Sequence, residues 1–334
     1  MDRKTKNILQ YVFWTAVAIV LLWFCFKAVD WGQFVSALKM CNWGYMVIAL
    51  ICGCMFVILR SLRWHMLISP IDPSVSKVDV FNAYGIGYVL NFVLPRAGEV
   101  VKIGYVVKHS PQDAEGKRRL NWDSAIGTFV AERAVDGVVL LVVTVIFLWG
   151  MWDTLGEAMA QNMGKGSQAL IWGTVGLTVL SIVFLLLCYL FRGRGGLWGK
   201  IWNFIAGIGK GLGSIKAMDR PWLFILYTLL IWSCHWLTCL AVIWSLQGIE
   251  PFTSLQPSDA FYLMVAGSIS TLIPVPGGFG AYHGAVATTL QALHGIPMGS
   301  GMIYATLNHE SQILGQAITG LWGYIHETFI RRPR

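Results

Sequence analysis

The sequence is poor in charge. Of its 334 residues, 13% are Asp, Glu, Lys or Arg, about half of the ~25% found in an ordinary soluble domain. So few charges cannot cover the surface of a water-soluble globule of this length. That excludes a secreted domain, a soluble enzyme and a disordered chain. Enzyme signatures are also missing: there is no G-x-S-x-G, no H-E-x-x-H, no P-loop and no Rossmann fingerprint. The seven cysteines (Cys25, Cys41, Cys52, Cys54, Cys188, Cys234 and Cys239) all lie in or beside apolar runs and build no framework in a polar loop. A disulfide scaffold is therefore excluded. Cys52-x-Cys54 lacks a second pair and a nearby histidine, so no metal and no cofactor are expected.

Apolar residues are abundant, at 56%, with 36 glycines and 16 tryptophans. Glycine permits close helix contacts in a membrane, and tryptophan favours the interfaces. The net charge is +8. In this setting the basic residues read as topology markers, and no nucleic-acid partner is expected. Asp2-Arg3-Lys4-Thr5-Lys6 precedes an uncharged stretch, Asn7 to Phe26, with no small-residue cleavage site after it. This points to a retained first helix.

Candidate spans run over about 7–28, 43–68, 122–152, 168–191, 221–247 and 301–329. Each is long enough to cross ~30 Å of hydrocarbon. Two further apolar segments, 78–109 and 258–296, are interrupted by proline and glycine. The first contains Leu94-Pro95-Arg96-Ala97-Gly98-Glu99 and the second Ile273-Pro274-Val275-Pro276-Gly277-Gly278-Phe279-Gly280. Proline ends helices and glycine permits turns, so each segment either kinks across the membrane or returns as a re-entrant hairpin. With six crossings and both segments re-entering, every basic residue falls on the cytoplasmic side except Lys27, Lys39, Lys165, Arg96 and Arg133. A full crossing by the first segment would put Arg60 to Lys77 and Lys102 to Arg119 on opposite sides. The re-entrant arrangement is expected, with both termini in the cytoplasm of a bacterial inner membrane.

A weak internal repeat supports this. Asp79-Val80-Phe81, Gly87 and Gly98 match Asp259-Ala260-Phe261, Gly267 and Gly278 at an offset of 180. Thr128, Glu132 and Gly137 match Thr306, Glu310 and Gly315 at an offset of 178. The expected halves are 1–167 and 168–334. Three crossings per half make the second half inverted, an arrangement used by transporters. The glycine-rich stretch 197–218 reads as a cytoplasmic interfacial helix, and Trp31 to Cys41 as a short helix on the outer face. The expected fold is thus an all-α polytopic membrane protein with six crossing helices and two re-entrant helical hairpins in an inverted repeat.

Charges at membrane depth cost roughly 2.5–3.5 kcal/mol each on the mildest scale, so they must be paired, solvated or useful. Arg96 and Glu99 mark the break of the first hairpin. Glu132 and Asp136 share one helix face, and Arg133 is three residues before Asp136. This set reads either as a structural ion network or as a site where Arg96 and Arg133 bind an anionic group balanced by the carboxylates. Pro276-Gly277-Gly278-Phe279-Gly280 reads as a turn offering backbone N–H groups to a phosphate. His283, His309 and Glu310 read as proton carriers, with Glu132 and Asp136, although a buried histidine satisfied by its neighbours is the plainer account of each ring alone.

Three motifs occur in order: Asn91-x-x-Leu94-Pro95-x-x-Gly98-Glu99, Glu132-Arg133-x-x-Asp136 and Pro274-x-Pro276-Gly277-Gly278-x-Gly280. Together they resemble the lysylphosphatidylglycerol synthase transmembrane region family of flippase-like membrane proteins, across nearly the whole chain. In the multiple peptide resistance factor this region is the flippase half, fused to an aminoacyltransferase. The present sequence has no such domain, and lipid aminoacylation is not expected. The resemblance implies a polar centre of Arg96, Glu99, Glu132, Arg133 and Asp136 facing Gly277, Gly278 and Gly280. The sequence departs from the family pattern at His283, where glutamate is frequent, and at Asn308-His309-Glu310, where arginine is frequent. A different head group or coupling ion is implied.

The expected function is translocation of a lipid with a phosphate-bearing head group, an anionic phospholipid or a polyprenyl phosphate, without catalysis. The alternatives are a proton-coupled transporter of a small anion and a membrane enzyme acting on a lipid-linked substrate.

Overall fold

A computed structural model describes residues 30–112, 118–150 and 220–331, with isolated positions at 16, 19, 20, 23, 27, 176, 179, 183 and 190. The expected spans 7–28 and 168–191 and the interfacial helix 197–218 lie largely or wholly outside the described residues. Within them the chain is helical: α1 (Trp31–Met40), α2 (Trp43–Ile68), α3 (Lys77–Val93), α4 (Ala97–His109), α5 (Trp122–Gly150), α6 (Pro221–Leu246), α7 (Asp259–Ser270), α8 (Ala281–His294) and α9 (Met298–Ile325). Gln112 and Arg118 form an isolated bridge, and no strand occurs among the described residues.

Local chemistry explains most boundaries. Asp30 caps α1 by accepting from the N–H groups of Gly32 and Gln33. Ser76 and Asp79 open α3 with a reciprocal capping box, which satisfies two helix-end donors. Proline stands just before α9, at Pro297, and within the break after α3, at Pro95. Among the described residues, α2 and α6 are each 26 residues long, with mean hydropathy of 2.2 and 1.7 in their most apolar windows. Both are long and apolar enough to cross a membrane. Helices α5 and α9, of 29 and 28 residues, match the lengths expected from sequence.

The described residues form two compact units, one of 1–129 and 222–334 and one of 130–221. In the first, α9 is the packing centre and touches α2, α3 and α8. The approach is close because small residues meet. A Cβ on Gly315 would lie 2.8 Å from the Gly53 carbonyl carbon, and one on Gly85 would lie 2.6 Å from the Thr319 carbonyl oxygen. Helices approach this way in lipid, where dispersion forces replace the hydrophobic effect as the glue.

Both interrupted segments are helical hairpins. In the first, α3 and α4 run antiparallel: Tyr84 lies beside Lys102, and Asn82 donates to the Tyr105 hydroxyl at 3.4 Å. In the second, α7 and α8 do the same, with Gly267 under the Tyr282 ring and Asp259 paired to His294 at 3.0 Å.

Candidate functional site

The first hairpin turns at Leu94, Pro95 and Arg96. Arg96 adopts the left-handed backbone conformation, φ 63°, and no other non-glycine residue among those described has a positive φ. This is strained for a residue with a Cβ. Its side chain is exposed. The Asn91 side chain spans the turn and accepts from the Gly98 N–H at 2.8 Å, which caps α4. Gly98 itself packs on the Gly87 backbone too closely for any Cβ. Asn91 and Gly98 therefore build the hairpin, and Arg96 and Glu99 stand at its charged end. Glu99, half-buried in the first turn of α4, sits where the helix dipole favours an anion.

Lys102 is 3% exposed. Its ammonium lies 3.8 Å from the Tyr84 ring centre and 4.7 Å from those of Trp64 and Phe129. Arg60 and Arg63, in the last turns of α2, are also buried. Arg60 stacks on Phe56 and Tyr84, and Arg63 lies over Phe224 and donates to Thr228 at 3.3 Å. Cations can be held inside protein by aromatic faces in this way. The charge count alone places all three on the cytoplasmic side as topology markers. The structure puts them inside helices, among rings. The aromatic residues are spread over α2, α3 and α5, so no local spacing announces the cage.

Glu132, Arg133 and Asp136 lie in the second unit, on α5. Glu132 is fully buried, and Arg133 and Asp136 are half-buried.

The second hairpin turns over residues 271–280. Gly277, Gly278 and Gly280 all have positive φ, at 57°, 77° and 78°, which glycine adopts without strain. The N–H groups of Gly278 and Phe279 are used within the turn, by Val275 and Pro276 carbonyls. The turn packs against α3. The Gly277 carbonyl accepts from His309 Nε2 at 3.0 Å, which joins the turn to α9. The structure brings His283, His309 and Glu310 together: one ligand atom from each lies within 4.8 Å of the others. Asn308 belongs to a different network. It accepts from Gln312 at 2.8 Å and donates to Tyr304, whose hydroxyl donates to the Cys239 carbonyl.

At the far end of α9 a third cluster ties this helix to the first hairpin. Arg331 pairs with Asp79 at 2.7 Å and with Glu327 at 3.0 Å. Tyr105 donates to Glu327 at 2.6 Å, and His109 Nε2 lies 3.1 Å from the same carboxylate. In the connection between α2 and α3, Asp72 accepts from Ser74 and Ser110. Burial pushes the Asp72 carboxyl up, but these hydrogen bonds and the nearby Arg119 outweigh it and hold the pKa below the ordinary value.

The fold and the site define a helical membrane protein organised on two broken-helix hairpins and a long shared helix. A family profile described as the lysylphosphatidylglycerol synthase TM region matches residues 11–320, and the chain belongs to that family. It is also similar to the UPF0104 membrane protein PH1989 of Pyrococcus horikoshii, at 23% identity over 302 residues, covering 82% of this chain and 84% of that protein. No solved structure matches the chain.

Proposed function

We propose that the protein is a lipid translocase of the cytoplasmic membrane of a bacterium, with both termini in the cytoplasm. In this reading six helices cross the bilayer, and the hairpins α3–α4 and α7–α8 re-enter from opposite sides as parts of an inverted repeat. A phosphate-bearing head group travels through a polar path while its tails remain in lipid. Such a path is needed because a bare head group crosses hydrocarbon only at high cost.

The observation that carries the reading is the first hairpin. Its end holds a strained, exposed Arg96 beside Glu99, and its second arm carries Lys102 into the interior with Arg60 and Arg63 nearby on α2. Strain retained at an exposed charged turn marks function more often than stability. Arg96 neutralises the phosphate, and the start of α4 completes its surroundings. Glu99, Glu132 or Glu310 changes protonation as access alternates. Membership of the family supports a membrane-lipid substrate.

The test is transfer of fluorescent phospholipids and a polyprenyl phosphate across proteoliposomes. Arg96→Ala and Glu132→Gln are each expected to reduce transfer of one lipid class at least tenfold. Unchanged transfer of every lipid in both variants overturns the reading. Uptake of a soluble anion driven by a pH gradient would instead favour the small-anion transporter, and a chemically altered lipid would favour an enzyme.

A further inference from the structure

The geometry points to a divalent transition-metal site formed by His283, His309 and Glu310, distinct from the charged end of the first hairpin. It comes from side-chain directions, not from composition. His309 Nε2 faces the Gly277 carbonyl at 3.0 Å. A carbonyl only accepts, so Nε2 carries a proton. Its other nitrogen, Nδ1, faces a Glu310 carboxylate oxygen at 3.4 Å. His283 Nε2 lies 4.0 Å from the same oxygen. Two imidazole nitrogens thus converge on one carboxylate oxygen. A proton can join only one of them to it, whereas a metal ion can join all three.

The surroundings fit a metal better than a loose polar contact. A metal-binding histidine usually donates its other N–H to a carbonyl or carboxylate, which sets the tautomer and aims the ring. Gly277 does this for His309. Tyr282 stacks on the His309 ring at 4.8 Å, and Phe279 meets it edge-on at 5.2 Å. The His283 side chain is 1% exposed and that of His309 8%, whereas Glu310 is 45% exposed. The site is thus walled by protein on the imidazole side and open on the carboxylate side. The opening provides an entry path and leaves coordination positions for water or a ligand oxygen.

Two imidazoles and a carboxylate suit zinc and its first-row neighbours better than magnesium or calcium. Zinc–nitrogen bonds of ~2.0–2.1 Å put tetrahedral ligand atoms ~3.4 Å apart. The separations, 3.4 Å and 4.0 Å with none beyond 4.8 Å, close to this by rotation of the half-exposed Glu310 together with a small shift of the two imidazoles toward each other. An ion there would join α8 to the middle of α9, and through Gly277 it would fix the turn of the second hairpin.

The experiment is titration of the chelator-treated, detergent-purified full chain with Co²⁺. Saturable visible d–d absorption at one Co²⁺ per chain, displaced by Zn²⁺, is expected. His283→Asn and Glu310→Gln are each expected to weaken Co²⁺ binding about a hundredfold while eluting as wild type on gel filtration. Should His283→Asn not fold, the half-exposed Glu310→Gln carries the comparison. Absence of saturable Co²⁺ binding in folded wild type overturns the proposal, as does binding of undiminished strength in Glu310→Gln. Neither result depends on lipid transfer, so the translocase reading stands or falls separately.

Discussion

The first hairpin turns in three residues, Leu94 to Arg96, and the second in ten, Thr271 to Gly280. The short turn is closed by one side chain, Asn91, and by backbone contact between Gly87 and Gly98. It carries charge at its end and along its second arm. The long turn carries no charge, and it is ordered by a backbone carbonyl given to a histidine from another helix. A tight turn leaves no spare backbone groups, so any polar chemistry there must come from side chains. A long glycine turn can contribute its own backbone, and its polar side chains then stand on the neighbouring helices. The outer ends differ as well. Asp79 of the first hairpin is held by Arg331, beyond α9, whereas Asp259 of the second is held by His294 of the same hairpin.

The largest expected effect separates the two closures. Gly98→Ala drives a methyl into the Gly87 backbone and should cost about 3 kcal/mol or more, seen as loss of the monodisperse peak or a large fall in Tm. In the second hairpin Gly267→Ala meets the edge of the buried Tyr282 ring rather than backbone and should cost less, about 2 kcal/mol. Equal losses would erase the distinction. The outer ties come next. Arg331→Met leaves the buried Asp79 and the Glu327 carboxylate without their cation and should cost about 2 kcal/mol. His294→Gln should cost about 1 kcal/mol, because Asp259 still accepts from the Gln256 N–H at 2.7 Å. Thermal melts of both variants, side by side, check the order.

Arg96→Gly should change sign. It removes the left-handed strain and should stabilise the protein by about 1 kcal/mol while lowering lipid transfer. A variant less stable than wild type would show that the Arg96 side chain holds the turn. The smallest effect belongs to Asp72. Its native pKa lies below its unfolded value, so its stabilisation is present above about pH 4 and is lost as pH falls through the native pKa. Asp72→Asn should therefore melt below wild type at pH 7, and the gap should close as the pH falls through the lowered native pKa. A gap independent of pH would mean that the loop is held by shape alone.

Helix positions were legible because apolar runs and proline–glycine interruptions are local signals. The ends expected for 43–68, 122–152 and 221–247 fall within two residues of α2, α5 and α6. The interruption at Leu94-Pro95-Arg96 was visible for the same reason. What the sequence concealed was the partner of each polar group. Lys102 is only a topology marker in the sequence until Trp64, Tyr84 and Phe129 come together from three helices. Asn91 and Gly98 look like parts of a binding motif, yet one caps a helix and the other permits a backbone contact. His283 and His309 lie 26 residues apart along the chain, and only the packing of α8 on α9 turns them toward one carboxylate.

The central position of α9 also sets an order of events during synthesis. The first hairpin has left the ribosome roughly 200 residues before α9 is complete, a delay of about 10–40 s at ordinary elongation rates. Throughout that interval Gly85 of the first hairpin and Gly53 of α2 face lipid or a helper protein where Thr319 and Gly315 will later sit. Assembly is therefore closed by the arrival of one late helix. Slow elongation or premature termination before Met298 would leave inserted but unjoined hairpins for the quality-control proteases of the membrane to recognise.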